Sequence, residues 1–295
     1  MPILVGTASW TDKSLIGCGR FYPRAAVSAE ARLRHYASVF PMVEVDSSYY
    51  AMPSAANAAL WVERTPPGFV FDVKAFRLFT GHPTRVAVLH RDVQTALGPR
   101  AAPLYDADVP RDIRAELWRR FKAALWPLHA AGKLGAVLFQ FPPWVQNNRQ
   151  GRARVAHCVE QMDGFPVSVE FRHQSWWTPA CRDDTLAWQR ALGVTHVVVD
   201  GPQGFSNSVP QVWATTTAQL AIFRLHGRNT ATWNVRGQTA ASDRFNYDYG
   251  EAELASFVPD LRALAQQVEF VHVVFNNNHE DQGQRNAQTL QAMLA

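Results

Sequence analysis

Eight short apolar runs, rich in β-branched residues, recur along the chain and constrain its fold more than any other feature. In chain order they are Ile3–Ala8, Met42–Ser47, Phe69–Ala75, Gly135–Phe141, Pro166–Phe171, Val194–Asp200, Leu220–His226 and Phe270–Asn276. Runs of this length and composition are typical of β-strands. Because stretches with helical character lie between them, they predict parallel βα units, and eight units predict a closed (β/α)8 (TIM) barrel. We expect one α/β domain spanning residues 1–295.

Seven helices are predicted between the strands. The clearest is Arg111–Ala131, in which apolar residues recur every three or four positions after Pro110. Pro259 is expected to kink or split the seventh-unit helix, because proline cannot donate the helical hydrogen bond. The sixth unit is the weakest, since Gly201–Thr217 shows turn residues instead of a helical period. The other predicted helices are Ser28–Val39, Ser54–Arg64, Arg152–Gln161, Thr178–Leu192, Glu251–Val268 and Gln284–Leu294.

Two connections are long. Phe76–Pro110 follows the third strand, is rich in Arg, His, Gly and Pro, and has no strong period. Loops of this length tend to be functional or mobile, and a barrel would place this one over the carboxyl-end mouth. It would be either a lid or a small packed excursion. The second connection, Arg228–Tyr249, follows the seventh strand and carries aromatic and basic residues, namely Trp233, Arg236, Arg244, Tyr247 and Tyr249.

Composition restricts the partners of the protein. The chain is 47% hydrophobic and 18% charged, with a net charge of +4, which is compatible with an anionic ligand but not with a dedicated nucleic-acid binder. No run approaches the roughly 20 apolar residues of a membrane helix. A first strand that begins at Ile3 leaves no room for a signal peptide. Cys18, Cys158 and Cys181 are widely spaced and fit reduced thiols, so we expect a cytoplasmic protein. No feature indicates an oligomeric state.

Several strands alternate with period two, so their faces can be assigned. The face predicted to point into the barrel is polar and carries Glu44, Asp46, Ser48, Asp72, Lys74, Ser168, Glu170, Arg172, Arg224, His226, His272 and Asn276. Barrel interiors are normally filled by branched aliphatic side chains, and buried charges need partners. We therefore expect a paired network. It either fixes the register of the barrel or forms a ligand site whose upper layer reaches the mouth.

Four residues are predicted to carry chemistry. Glu170 is the better general acid or base because it lies near the mouth, whereas Glu44 is one layer deeper and orients a partner. Lys74 would hold an anion or serve as a reactive amine, with an ion pair to Asp72 or Glu44 as the favoured interpretation. His226 is either a proton shuttle or a core histidine.

Ten further residues are predicted to contact a ligand. Arg172 and Arg224 would hold its negative charge, since the guanidinium suits bidentate contacts. Trp10 and Trp233 follow strand ends, where their rings could stack on a base or sugar. The remaining six are Asp46, Ser48, Tyr50, Gln140, Asn276 and Asn277. No glycine-rich nucleotide motif or nucleophile elbow is present.

No cofactor is predicted. A divalent metal stays an alternative, because histidines and carboxylates near the strand ends are the ligand types of zinc and manganese. However, no HxH, HxxE or HExxH spacing occurs at a strand end, and three basic residues at the same mouth would repel a cation.

At these residues the chain resembles the YecE-like family, whose members are (β/α)8 proteins of unknown function. The resemblance implies that fold and a polar site at the strand ends. Departures are Asp46, where the family usually shows Asn, and Gly81, which separates Thr80 from His82. The stretches that carry the resemblance are Gly6–Trp10, Phe21–Pro23, Val43–Tyr50 with Pro53, Phe69–Lys74, Leu138–Pro143, Val169–His173 with Ser175 and Trp176, Arg224–Gly227, Phe275–Asn277, and Asn286 with Ala287.

Three functions follow as hypotheses. The leading one is a hydrolase acting at the mouth on an anionic or polyhydroxylated ligand, such as a nucleotide, nucleic acid or sugar phosphate. The second is a glycoside hydrolase in which Glu170 works with Asp46 or Glu44 across an open cleft. The third is a non-catalytic module that binds nucleic acid or another partner. The fold is similar in architecture to that of endonuclease IV and xylose isomerase, which is an analogy at the level of fold.

Overall fold

The structure is a computed structural model that describes residues 2–235 and 245–295. Eight parallel strands close into a barrel in sequence order, with helices between most of them. The predicted single-domain (β/α)8 barrel is therefore confirmed. The strands are β1 Ile3–Ala8, β2 Met42–Val45, β3 Val70–Lys74, β4 Leu134–Phe141, β5 Val167–Phe171, β6 Thr195–Asp200, β7 Leu220–Leu225 and β8 Phe270–Phe275.

Ten α-helices are present in the described part of the chain. Their starts follow from local sequence: the side chains of Ser28, Ser54 and Asn148 each accept a hydrogen bond from a backbone N–H in the first turn that follows. The helices are α1 Lys13–Cys18, α2 Ala29–Val39, α3 Ser47–Tyr50, α4 Ala55–Glu63, α5 Arg91–Leu97, α6 Arg111–Ala130, α7 Arg149–Gln161, α8 Arg182–Ala191, α9 Glu251–Ala265 and α10 Gln282–Leu294.

The seven predicted helices are all found, with shifted ends. Of the two outcomes predicted for Pro259, a kink or a split, the split is wrong, because α9 runs through Pro259 as one element. Residues 201–219 contain no helix, as the weak periodicity of the sixth unit predicts. Arg236 and Arg244 of the predicted second loop lie outside the described residues.

The strand register places polar side chains at matching heights inside the barrel. Glu44 is paired with Asp72, and Gln140 with Glu170. Glu44, Asp72 and Glu170 are all buried, while the alternating apolar residues are buried beneath the surrounding helices. The interior of this barrel is therefore a polar core inside an apolar shell.

The segment 76–110 is packed against the barrel. It contains α5, two 3-10 turns and an antiparallel bridge between Thr84 and Leu104. Phe79 is 2% exposed and stacks on Trp118 of α6 with ring centroids 3.6 Å apart. This geometry favours the packed excursion over a freely moving lid.

Two whole-chain features complete the description. Cys18, Cys158 and Cys181 are free, and Cys158 is buried. None of the helices in the described ranges is both long and apolar enough to cross a bilayer.

Candidate functional site

The centre of the barrel is organised by Arg224 on β7. Its guanidinium donates to both carboxylate oxygens of Glu44 on β2, at 2.8 and 2.6 Å, and also to Glu170 on β5. All three side chains are at most 1% exposed. One cation thus joins two carboxylates across the barrel, which is the pairing that burial of charge requires.

Glu170 is the most heavily hydrogen-bonded acid in this network. Its Oε1 accepts from Gln140 at 2.7 Å, from His226 at 2.9 Å and from Arg172 at 3.0 Å, while Oε2 accepts from Arg224. Burial acts to raise the pKa of Glu170, but Arg224, His226 and Arg172 outweigh it and hold the pKa well below 4.5. Glu170 is therefore ionised and has no oxygen directed at solvent.

The protonation of His226 follows from its neighbours. Burial lowers its pKa to about 3, although Glu170 acts in the opposite direction, so the ring is neutral at pH 7. Nε2 must carry the hydrogen, because Glu170 can only accept, and Nδ1 accepts from the Asn276 amide at 2.8 Å. Both ring nitrogens are engaged, so His226 orients Glu170 and is not poised to exchange protons with a ligand.

The pKa of Glu44 is shifted in the opposite direction from that of Glu170. Burial raises the pKa of Glu44 from 4.5 to about 7, against the opposing effects of Arg224 and Lys74. The pKa of Arg224 is raised, because Glu44 and Glu170 outweigh its burial. The two acids are shut off from solvent with Arg224 joining them, which argues against the open cleft of a glycoside hydrolase.

Above this layer, at the carboxyl ends of the strands, Lys74 forms an ion pair with Asp46 at 2.8 Å. The predicted partners Asp72 and Glu44 are wrong, because Asp46 at the end of β2 lies closer to the ammonium. Ser48, a predicted ligand contact, is buried, and its hydroxyl lies within hydrogen-bonding distance of the carbonyls of Val45 and Lys74. It positions Lys74 instead.

Arg172 and Trp233 form the other side of this upper layer. The guanidinium lies over the indole ring, 4.7 Å from the centroid, in a cation–π contact. Trp233 is 5% exposed, and its indole N–H has no hydrogen-bond partner within the described ranges. A buried donor in this state would gain from an acceptor supplied by a ligand.

Three residues of the mouth are not among the predicted site residues: Tyr49, Arg77 and His82. The Tyr49 ring lies under both Lys74, at 4.7 Å, and Arg77, at 5.1 Å, and its centroid is 5.2 Å from that of His82. Burial, followed by the charges of Lys74, Arg77 and Arg172, lowers the pKa of His82 to about 3. The only sequence signal for His82 is the family resemblance around Thr80, Gly81 and His82, because His82 does not directly follow a strand.

Two predicted ligand contacts lie elsewhere. Trp10 is 6% exposed and packs edge-on against Trp61 and Phe71, so it belongs to the apolar shell. Asn277 is fully buried and donates to the Tyr247 carbonyl and to Asn286, which ties the loop to α10. These side chains follow strand ends, where the period-two pattern stops. The period-two pattern therefore does not predict which way the side chains of Trp10 and Asn277 point.

Tyr50 lies at the edge of the mouth. It is 46% exposed, and its ring centroid is 5.0 Å from that of Tyr49. It could contact a large ligand but not the groups around Glu170.

A separate buried pair lies lower in the barrel, where His272 on β8 contacts both oxygens of Asp72 at 3.0 and 3.1 Å. Among residues 2–235 and 245–295, no three His, Cys, Asp or Glu side chains are grouped so that they could hold a metal ion.

Comparisons with known proteins agree with this architecture. A family model described as "Protein of unknown function DUF72" matches residues 4–295. The chain is 35% identical over 278 residues to the UPF0759 protein YunF of Bacillus subtilis (strain 168), covering 94% of this chain and 89% of that one.

Solved structures give the same result. A DUF72 family protein from Thermotoga maritima MSB8 is 28% identical with a TM-score of 0.78, covering 100% of this chain and 99% of that chain. A DUF72 family protein from Enterococcus faecalis V583 is 26% identical with a TM-score of 0.80, covering 99% and 95%.

Proposed function

The chain belongs to DUF72, a family of proteins of unknown function, and from the geometry of its barrel mouth we propose that it binds and hydrolyses a small phosphorylated ligand. Nucleotides and sugar phosphates are the substrate classes. The supporting observation is that Lys74 and Arg172 keep 10% and 15% of their side chains exposed at the mouth, whereas Arg224 below them is fully buried.

Two further donors favour an anion. The Nε of Arg77 and the indole nitrogen of Trp233 are buried and lack hydrogen-bond partners in the described parts of the chain. Arg77 and Lys74 both form cation–π contacts with the Tyr49 ring, and Arg172 forms one with the Trp233 ring. Oxygen atoms of a phosphate would satisfy such donors, and fork-shaped guanidinium groups suit that geometry.

His82 is the proton acceptor in this proposal. Thr80 donates its hydroxyl hydrogen to the Arg77 carbonyl at 3.1 Å, so its oxygen accepts from His82 Nδ1 at 2.8 Å. That arrangement leaves His82 Nε2 as the basic nitrogen. A bound phosphate dianion offsets the surrounding cations and raises the pKa of His82 toward the range in which a general base works.

The reaction is ordinary ester hydrolysis. Water attacks phosphorus while one of its protons passes to His82 Nε2. The P–O ester bond breaks, and the proton is transferred to the departing alkoxide, giving an alcohol and inorganic phosphate. Lys74 and Arg172 neutralise the charge on the phosphoryl oxygens, while Glu170, which accepts a hydrogen bond from Gln140, holds Arg172 in place.

Binding is tested by calorimetric titration with inorganic phosphate, ribose 5-phosphate and adenosine monophosphate, with and without Mg²⁺. Lys74→Gln and Arg172→Gln should each weaken binding at least about tenfold, since each removes a charge-assisted contact. Lys122→Gln, which removes the same charge from α6 on the outside of the barrel, should not. Equal binding by all variants, or none by the parent, contradicts the site.

Catalysis is tested separately by phosphate release. His82→Asn should lower the rate about a hundredfold or more while binding persists. Binding without turnover in the parent would leave an anion-binding module instead of an enzyme. A steep loss of affinity for oligonucleotides with rising salt would favour the nucleic-acid alternative.

A further inference from the structure

A second pocket lies between the segment 76–110 and the loop after β4. It is lined by Gly81, Tyr105, Trp144, Gln150 and Arg154, among others, and has a volume of about 240 Å³. None of its described lining residues is acidic. We call it the Arg154 pocket. It shares no lining residue with the Lys74 and Arg172 site.

Arg154 is the charged group of this pocket. It is half-buried on α7 and, within the described ranges, makes no hydrogen bond or ion pair. Its guanidinium lies close to Gly81, where an added Cβ would come within 3.2 Å of Nη1. The nearby Asp106 is already paired with Arg114 at 3.4 Å. A partly desolvated guanidinium without a partner favours an anion from outside the chain.

Two exposed aromatic rings accompany this charge. Trp144 is 57% exposed and Tyr105 is 49% exposed, although large aromatic side chains are usually buried. Trp144 is also held in place, because its indole N–H donates to the Gly81 carbonyl at 3.2 Å and its ring centroid lies 5.5 Å from that of His82. A fixed, exposed indole beside a cation is suited to stacking on a flat ring.

We propose that the Arg154 pocket binds a small anion that carries one flat aromatic ring, with its carboxylate or phosphate on Arg154 and the ring stacked on Trp144 or Tyr105. The volume falls below the 300–1,000 Å³ typical of drug-sized ligands, so the ligand has a single aromatic ring. This site is independent of the hydrolysis proposed for the mouth. Aromatic carboxylates and pyrimidine nucleotides share the required chemistry.

Calorimetric titration distinguishes these two sources. The full-length protein is titrated with 4-hydroxybenzoate and with uridine 5′-monophosphate, and then with the neutral analogues 4-hydroxybenzamide and uridine. We expect at least one anion to bind, and its neutral analogue to bind about tenfold or more weakly. Tighter binding of the carboxylate identifies an aromatic acid as the ligand class, and tighter binding of the nucleotide identifies a pyrimidine nucleotide.

Matched variants locate the binding. Arg154→Gln and Trp144→Ala should each weaken it at least about tenfold. Arg149→Gln, on the same helix, and Trp126→Ala, at an equal 57% exposure on α6, should leave it unchanged. Lys74→Gln should leave the binding of 4-hydroxybenzoate, which has no phosphate, unchanged, and this separates the pocket from the mouth. The variants are compared for uridine 5′-monophosphate in the Lys74→Gln background, where nucleotide binding at the mouth is weakened. No binding by either anion, or equal binding by the Arg154 and Arg149 variants, overturns the proposal.

Discussion

At Arg224, one guanidinium is hydrogen-bonded to two carboxyl groups that have no contact with solvent. The pairing is costly to assemble, because ionisable groups leave water, and costly to break, because charge would stay buried without a partner. Aliphatic residues of similar volume would fill the same space at little cost in stability. The presence of a charged network where aliphatic residues would serve is consistent with a role in holding Arg172 and Gln140 at the mouth.

Replacing Arg224 by Met should lower the free energy of unfolding by about 3–5 kcal/mol, since Glu44 and Glu170 would remain buried without their cation. Urea denaturation monitored by circular dichroism measures this change. Adding Glu44→Gln and Glu170→Gln to the same variant should restore much of the loss. A single variant as stable as the parent would show that the carboxylates have other partners.

The raised pKa of Glu44 makes stability depend on pH. In the folded protein it titrates near pH 7 instead of 4.5, so the folded state holds more protons than the unfolded chain between these values. Its stabilising contribution is complete below pH 4.5 and is lost as the pH rises through 7. The Glu44→Gln variant does not lose stability in this way, because glutamine does not titrate.

The stability of Glu44→Gln relative to the parent should therefore increase between pH 4.5 and 8, by an amount on the order of 3 kcal/mol. Parallel urea titrations at several pH values measure the difference. A difference that is constant, or that decreases with pH, means that Glu44 is ionised in the folded protein at pH 5.

At the scale of elements, the strands are the best-predicted part of the chain. β1 agrees with its predicted range, and the other strands differ at either end by no more than two residues. The run Met42–Ser47 is overextended because α3 begins at Ser47. The helices α1, α3 and α5 have seven residues or fewer, too short for an apolar period to emerge.

The residues of the candidate site also differ in how well the sequence predicts them. Residues inside strands, such as Glu44, Glu170 and Arg224, could be placed from alternation, which fixes the face of each side chain. Residues after the strand ends could not, because the backbone turns there. This is why Trp10 is found in the apolar shell and why His82, within the long segment, is missing from the prediction.

Gly135 in β4 leaves room for the buried pair that Asp72 on β3 forms with His272 on β8. A Cβ there would lie 2.5 Å from Asp72 Oδ1 and 2.6 Å from His272 Cε1. Gly135→Ala should therefore lower the free energy of unfolding by about 1–3 kcal/mol through overpacking. Thermal and urea unfolding measure the change.

The control is Gly17→Ala in α1, where a Cβ would meet nothing within 4 Å. That variant should gain about 0.5–1 kcal/mol, because alanine loses less conformational freedom in a helix. If both glycines tolerate alanine equally, the Asp72–His272 pair is looser than the structure indicates.

At the scale of the whole molecule, the question is whether the segment 76–110 is a fixed part of the barrel mouth or a lid that opens and closes over it. Its side chains enter the core shared by the outer helices, including Phe79, which stacks on Trp118 and contacts Phe121 edge-on. Within the segment, backbone hydrogen bonds join Thr84 to Leu104. A lid would open without disturbing the barrel, whereas a packed wall would unfold with it.

Phe79→Ala should lower the free energy of global unfolding by about 3–5 kcal/mol, the usual cost of removing a buried ring. Val88→Ala, in the same segment but 38% exposed, should change it by less than about 0.5 kcal/mol. In native-state hydrogen exchange, the amides of Thr84 and Leu104 should exchange only through global unfolding. Rapid exchange there, with Phe79→Ala as stable as the parent, would identify the segment as a lid.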